Sequence, residues 1–165
     1  MLASCLGVDT AAEFSADGSV SCTITYTVSN AVLELGALGA NESLLPLPVG
    51  QDDLALAATR AGGQLGSWKR ADGAENAVIV ATLRFPDAAA FARFLDPSGT
   101  KATVTINGNT TELRMELFPG GAPADPDIDD FVRAAFGEYT VSFSITAPRT
   151  IQTTDGFKAI VNRAT

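Results

Sequence analysis

The side chains that could do chemistry are two thiols, three lysines, a run of aspartates after residue 124 and many hydroxyls, and no histidine stands beside any of them. Histidine is the commonest general base and the commonest zinc ligand, so its absence removes most hydrolase and metalloenzyme readings together. A serine could still be served by Lys69, Lys101 or Lys158, but no local pattern recommends any of the three. Neither a glycine-rich phosphate loop nor a Gly-x-Ser-x-Gly turn occurs. Asp125, Asp127, Asp129 and Asp130 begin with the spacing of a calcium loop but fail at its sixth position, where Asp130 replaces glycine, and at its twelfth, where Phe136 replaces glutamate. Acidic residues in a first helical turn are what the helix dipole favours. No catalytic residue, metal ligand or cofactor is therefore assigned.

Cys5 closes the sequence Leu2-Ala3-Ser4-Cys5. A leucine and two small residues before a cysteine match a bacterial lipobox, in which the thiol is acylated and small residues let the processing enzyme cut in front of it. On this reading Cys5 is the lipidation site and residues 1–7 are a lipobox remnant and tether, followed by one domain over residues 8–165. The alternative is a frayed N-terminus with Cys5 as an ordinary exposed thiol. Cys22 falls on the apolar side of a patterned strand, where a small buried thiol is the simplest account. Cys5 lies outside that pattern, which disfavours a bridge between the two.

Composition sets outer bounds. A chain of 165 residues suits one domain and buries roughly 70% of its unfolded surface, enough for a core without disulfide or metal. Its formal charge of −8 would repel a phosphate backbone, which excludes nucleic acid as a partner. No apolar run approaches the 18 or so residues that span a bilayer as a helix.

The elements that must position any site follow from patterning. In residues 19–29 every second side chain is apolar (Val20, Cys22, Ile24, Tyr26, Val28) and those between are serine or threonine. Period two of this regularity predicts a strand with one buried face. Asp17-Gly18 before it supplies a hairpin turn, so residues 13–16 should fold back as its partner. Asp72-Gly73, Asn107-Gly108 and Asp155-Gly156 repeat the signal, each between two predicted strands. Residues 77–85 read as a central strand covered on both faces. Residues 110–118 and 139–145 alternate, the latter with Val141, Phe143 and Ile145 inward.

Helices are predicted over residues 88–95, capped by Asp87, and over 126–136, opened by Pro126 and ended by Gly137. A third covers residues 51–61 and is closed by Gly62-Gly63, and residues 30–38 offer a short fourth weakened by Gly36 and Gly39. The predicted fold is α+β: a two-layer domain with an antiparallel sheet of six to eight strands built from β-hairpins, and three or four helices on one face. The serine and threonine side of the sheet is left uncovered, either simply solvated or carrying another subunit or a glycan.

Two stretches are candidate ligand contacts. Leu44, Leu45, Leu47 and Val49 form an apolar segment that Pro46 and Pro48 keep irregular, either a lid packed on the core or a surface for a lipid. Trp68 is the only tryptophan and is followed by Lys69 and Arg70, the only adjacent basic pair. That trio suits an anionic head group or membrane interface, and equally a strand tryptophan packed across a hairpin with charged neighbours.

Taken together, Leu2-Ala3-Ser4-Cys5, the hairpin at Asp17-Gly18-Ser19-Val20-Ser21 and the passage from strand to helix over residues 85–95 resemble the small LppM-like bacterial lipoproteins. The resemblance covers about residues 5–146. It implies a non-enzymatic, extracytoplasmic envelope protein, held to the membrane by a lipid at Cys5, that binds a glycolipid or other amphiphile. The other reading is a structural or interaction subunit that docks a second envelope protein through its hydroxyl face or a sheet edge.

Overall fold

The computed structural model describes residues 6–30, 49–107, 110–115, 140–155, 159–160 and 163–164. Nine strands and two helices lie among them: β1 (Leu6–Phe14), β2 (Val20–Ser29), α1 (Gln51–Ala61), β3 (Gln64–Asp72), β4 (Asn76–Phe85), α2 (Ala88–Leu95), β5 (Ala102–Asn107), β6 (Thr110–Met115), β7 (Thr140–Thr146), β8 (Ala159–Ile160) and β9 (Arg163–Ala164). The fold is α+β, as patterning predicts.

The main sheet runs β3-β4-β2-β1-β7, with the two-residue strands β9 and β8 beyond β7. β2 sits at its middle, and its apolar row is buried while its hydroxyl row is half-buried, residue for residue as the alternation requires. Val20, Cys22, Ile24, Tyr26 and Val28 share one core with Ile79, Ala81, Leu83 and Phe85 of β4 and with Leu54, Ala58, Ala90 and Phe91 of the helices. Both helices therefore pack on the same side of the sheet.

Several expectations are corrected. β7 pairs with β1 in parallel, so the sheet is mixed rather than wholly antiparallel. The β5–β6 hairpin forms a sheet of its own, which leaves five long strands in the main one. β1 is nine residues long (Leu6–Phe14), where patterning predicted a partner strand over residues 13–16 only. The turn joining it to β2 is longer than the tight two-residue turn predicted: Gly18 N–H donates to the Ser15 carbonyl at 3.1 Å, and the Asp17 carboxylate accepts from Ser19 N–H at 2.9 Å. β4 is central but covered on one face only, since Val78 is exposed and Val80 half-buried. Residues 147–155 contain no strand, and the last two short strands pair across residues 161–162 rather than at Asp155-Gly156. The helix predicted over 126–136, and all of that predicted over 30–38 except Asn30, lie outside the described residues.

The two described helices end as local chemistry dictates. Asp87 caps α2 by accepting from Ala90 N–H at 2.7 Å. At the end of α1, Gly62 takes φ +90°, Gly63 N–H donates to the Ala58 carbonyl at 2.8 Å, and Gly62 N–H donates to that of Thr59 at 3.0 Å. This is a Schellman closure, which satisfies carbonyls the helix leaves open. Arg93 of α2 adds a further donor by reaching the Ala61 carbonyl at 3.1 Å, so a side chain of one helix completes the end of the other.

Directly after that closure the chain passes so close to β4 that a Cβ at Gly63 would stand 2.4 Å from the Phe85 ring and 2.7 Å from the Arg84 carbonyl. Phe85 cannot yield, being wedged against Phe91 and Phe94 at ring separations of 5.6 and 5.2 Å. Gly18, at φ +91°, has open space instead. Gly63→Ala should therefore destabilise by about 1–3 kcal/mol through overpacking, against about 1 kcal/mol for Gly18→Ala, which meets only backbone strain. Equilibrium urea unfolding of the two variants measures the difference, and an equal loss would show that the Gly63 contact is soft.

Candidate functional site

The described part of the predicted apolar site is its last residue. Val49 packs against the core, and its carbonyl accepts a 3.1 Å hydrogen bond from the Trp68 indole nitrogen. Gly50 then starts α1 in an extended conformation, with no side-chain cap. α1 and β3 run as a helix followed by a strand joined through Gly62-Gly63, which folds the strand back along the helix and brings Trp68 beside the residue that precedes it. Trp68 stands opposite Ala81, a core residue of β4, so its ring lies on the helix-covered side of the sheet. Its polar edge is used for the Val49 carbonyl, the usual arrangement for a half-buried indole. Leu44, Leu45 and Leu47 lie outside the described residues, as does Cys5.

Lys69 faces the opposite side of the sheet from Trp68 and Arg70. Successive strand residues point to opposite faces. Lys69 accordingly sits opposite Val80 on the open side, and Arg70 opposite Ile79 on the other. Arg70 is also engaged, with its Nε 2.7 Å from the Asp72 carboxylate in an exposed pair that contributes little to stability. Trp68 and Val49 are thus brought together, while the two cations are separated.

An open groove of about 380 Å³ lies at the other end of α1, lined by Ser19, Gly62, Gly63, Gln64, Arg84, Phe85 and Pro86. An 11-residue helix is about 16 Å long, so the groove is distinct from the Val49 end. The side chain of Arg84 passes over Gly66, where β3 carries a bulge and no Cβ obstructs it. Nothing in the local sequence marks this groove, because it is made by the ends of four elements far apart in the chain.

The described titratable groups do not form an acid-base pair. Cys22 is fully buried, and desolvation pushes its thiol up to about 12, which makes it an inert core residue. It is a free cysteine. Among the described residues no group of three or more histidine, cysteine or acidic side chains could hold a metal. The aspartates from Asp125 to Asp130 are outside them.

Among the described residues Asp96 is the carboxylate with the most hydrogen bonds, four of them. Its Oδ1 accepts from the backbone and hydroxyl of Ser98, and its Oδ2 from the N–H groups of Lys101 and Ala102. The Ser98 hydroxyl and then the Lys101 N–H hold the carboxyl well below the ordinary range. The residue thereby ties the exit of α2 to the start of β5. The sequence signal was the Asp-Pro-Ser-Gly string, which favours a turn closed by an aspartate side chain.

A pKa lowered by folding stabilises the native state above the unfolded carboxylate value of about 3.9, and that contribution fades as pH falls below it. Asp96→Ala should therefore lower the Tm at pH 7 and lower it less at pH 2, as thermal scans at the two values would show. An equal loss at both would mean that the charged form is not what the turn requires. Trp68→Phe, which keeps the ring and removes the donor, should cost about 1 kcal/mol in urea unfolding. An unchanged midpoint would show that the indole bond to Val49 does not hold the start of α1.

No family model matches this chain, and no curated protein or solved structure is similar to it.

Proposed function

We propose that this chain is a non-catalytic protein of the cell envelope, anchored to a membrane by a lipid on Cys5, that binds a lipid, glycolipid or other amphiphile. The ligand would lie under the apolar segment of Leu44, Leu45, Leu47 and Val49, with Trp68 at its edge and Arg70, on the same side of the sheet, available to a head group, while Lys69 faces the other side. In full, the fold would be two layers, with a third helix over 126–136 completing the roof. The observation that carries the reading is the Trp68 bond to the Val49 carbonyl, which fixes the end of an apolar, proline-interrupted segment against the sheet core. Such a segment at the edge of a helical roof is where an apolar cavity opens most readily. No described helix is long and apolar enough to cross a membrane. A single acyl chain binds a bilayer only marginally, and a second apolar contact from the same protein would strengthen the hold.

A second reading is favoured by the other side of the sheet. There Thr23, Thr25 and Thr27 of β2 are half-buried and their neighbours Asp9, Ala11, Glu13 and Val78 are exposed, so an interaction subunit could dock on that face.

Labelled fatty acid supplied to the native host should enter the protein and be lost in Cys5→Ala. Native mass spectrometry of the protein taken from membranes should show polypeptide plus a lipid mass. Label retained in Cys5→Ala removes the anchor, and bare polypeptide alone removes the amphiphile.

A further inference from the structure

The open face of the sheet carries a charge pattern that suits one partner in particular. Glu13, Ser21 and Arg84 stand in one row across β1, β2 and β4. Four residues further along β2, two positions on the same face, Asp9, Thr25, Val80 and Lys69 stand in another row across β1, β2, β4 and β3. The acids therefore lie on one side of β2 and the cations on the other, with a neutral band of small side chains between them. All four charged residues are exposed, and among the described residues none of the four is in an ion pair. Their charges sum to zero in a chain whose formal charge is −8, so this face escapes the repulsion that would oppose close approach of two copies elsewhere.

We infer that the open face binds a second copy of this chain, about a two-fold axis that runs along β2. This rests on the second reading above, the sheet face as a docking surface, and names its partner. Rotation by a half-turn about β2 exchanges the β4 and β1 sides while keeping each row at its own height. Arg84 of each copy then meets Glu13 of the other, with Ser21 on the axis between the two pairs. Lys69 stands one strand, about 4.8 Å, to the side of Asp9 of the other copy across the roughly 10 Å between stacked sheets, a gap that its flexible stem helps to span. Along the axis Thr23, Thr25 and Thr27 meet their own counterparts, short side chains that let two sheets stack aligned.

The contact is isologous and closes on itself, as two-fold dimers must. Ser144 of β7 is buried on this side, so the free face is that of β3, β4, β2 and β1, where seven residues of shared length give about 440 Å² from standard strand spacings. Two copies would thus remove about 900 Å² from water, the size of a weak, reversible interface. The axis also places the start of β1 at the same end in both copies, so two chains anchored next to Leu6 could share one bilayer.

Sedimentation equilibrium of the full chain should show a monomer–dimer equilibrium. Glu13→Arg or Arg84→Glu alone puts like charges opposite each other and should weaken it by about tenfold or more, whereas the two together should restore it. Wild-type protein that stays monomeric at millimolar concentration, or a double variant no better than either single one, overturns the proposal. In the native host, p-benzoylphenylalanine placed at Thr25 separates the partner from the face. An adduct of two copies supports the dimer, and an adduct with a different polypeptide overturns it while leaving the docking face. The absence of any adduct overturns both.

Discussion

The two-residue alternation of β2 is the constraint on which the rest of the molecule depends. A strand with a large apolar side chain at every second place and a short hydroxyl at every other can lower its free energy in one way, by turning its apolar row toward a common core. Because β2 is also the middle long strand, its choice of side propagates. β1 and β4 pair with it along nearly their whole lengths, and each pairing assigns every neighbour to the same or the opposite face. A slip of one residue would expose Val20, Cys22, Ile24, Tyr26 and Val28 together, so the register is strongly held.

The helices complete what β2 begins. α1 places Leu54, Ala58 and Ala61 against the sheet, and α2 places Ala90 and Phe91. Phe91 is the hub of their seam, meeting Phe85 of β4 at 5.6 Å and Phe14 of β1 edge-on at 5.9 Å. The same corner holds the Gly62-Gly63 closure and the Arg93 bond to the Ala61 carbonyl. Alanine on α1, glycine at its end and aromatic rings on the facing elements are complementary: small residues let the helix approach, and the rings fill the space that remains.

The two sides of the sheet differ in chemistry. The covered side holds the aromatic and aliphatic groups, with the Trp68 contact to Val49 at its margin. The open side holds hydroxyls and four separated charges. A catalytic apparatus would need titratable groups drawn together in a cleft. In the described residues the thiol of Cys22 is buried, Asp96 is tied into a turn and the remaining charges are spread over the surface. The two proposed binding roles divide along the same line: an apolar margin for an amphiphile, and a flat polar face for a second copy of the chain.

What could be read from the sequence alone was local. The apolar and hydroxyl rows of β2, the Asp87 cap, the span of α1 and its glycine closure depend on backbone preferences and side-chain periodicity within about ten residues, and the structure has them where they were placed. Tertiary structure decided everything that depends on which distant strand lies alongside. The parallel pairing of β7 with β1 joins residues more than a hundred apart, and the departure of β5 and β6 into their own sheet leaves no mark on their alternation. Burial also corrected a local inference: the nearly continuous apolar run of β4 looks covered on both sides, yet Val78 is exposed, and the two described helices pack on the other side. The division of Trp68, Lys69 and Arg70 between two faces, and the alignment of Glu13 with Arg84 across Ser21, likewise arise only from strand register, since hydrogen bonds between strands set neighbours that sequence separation does not.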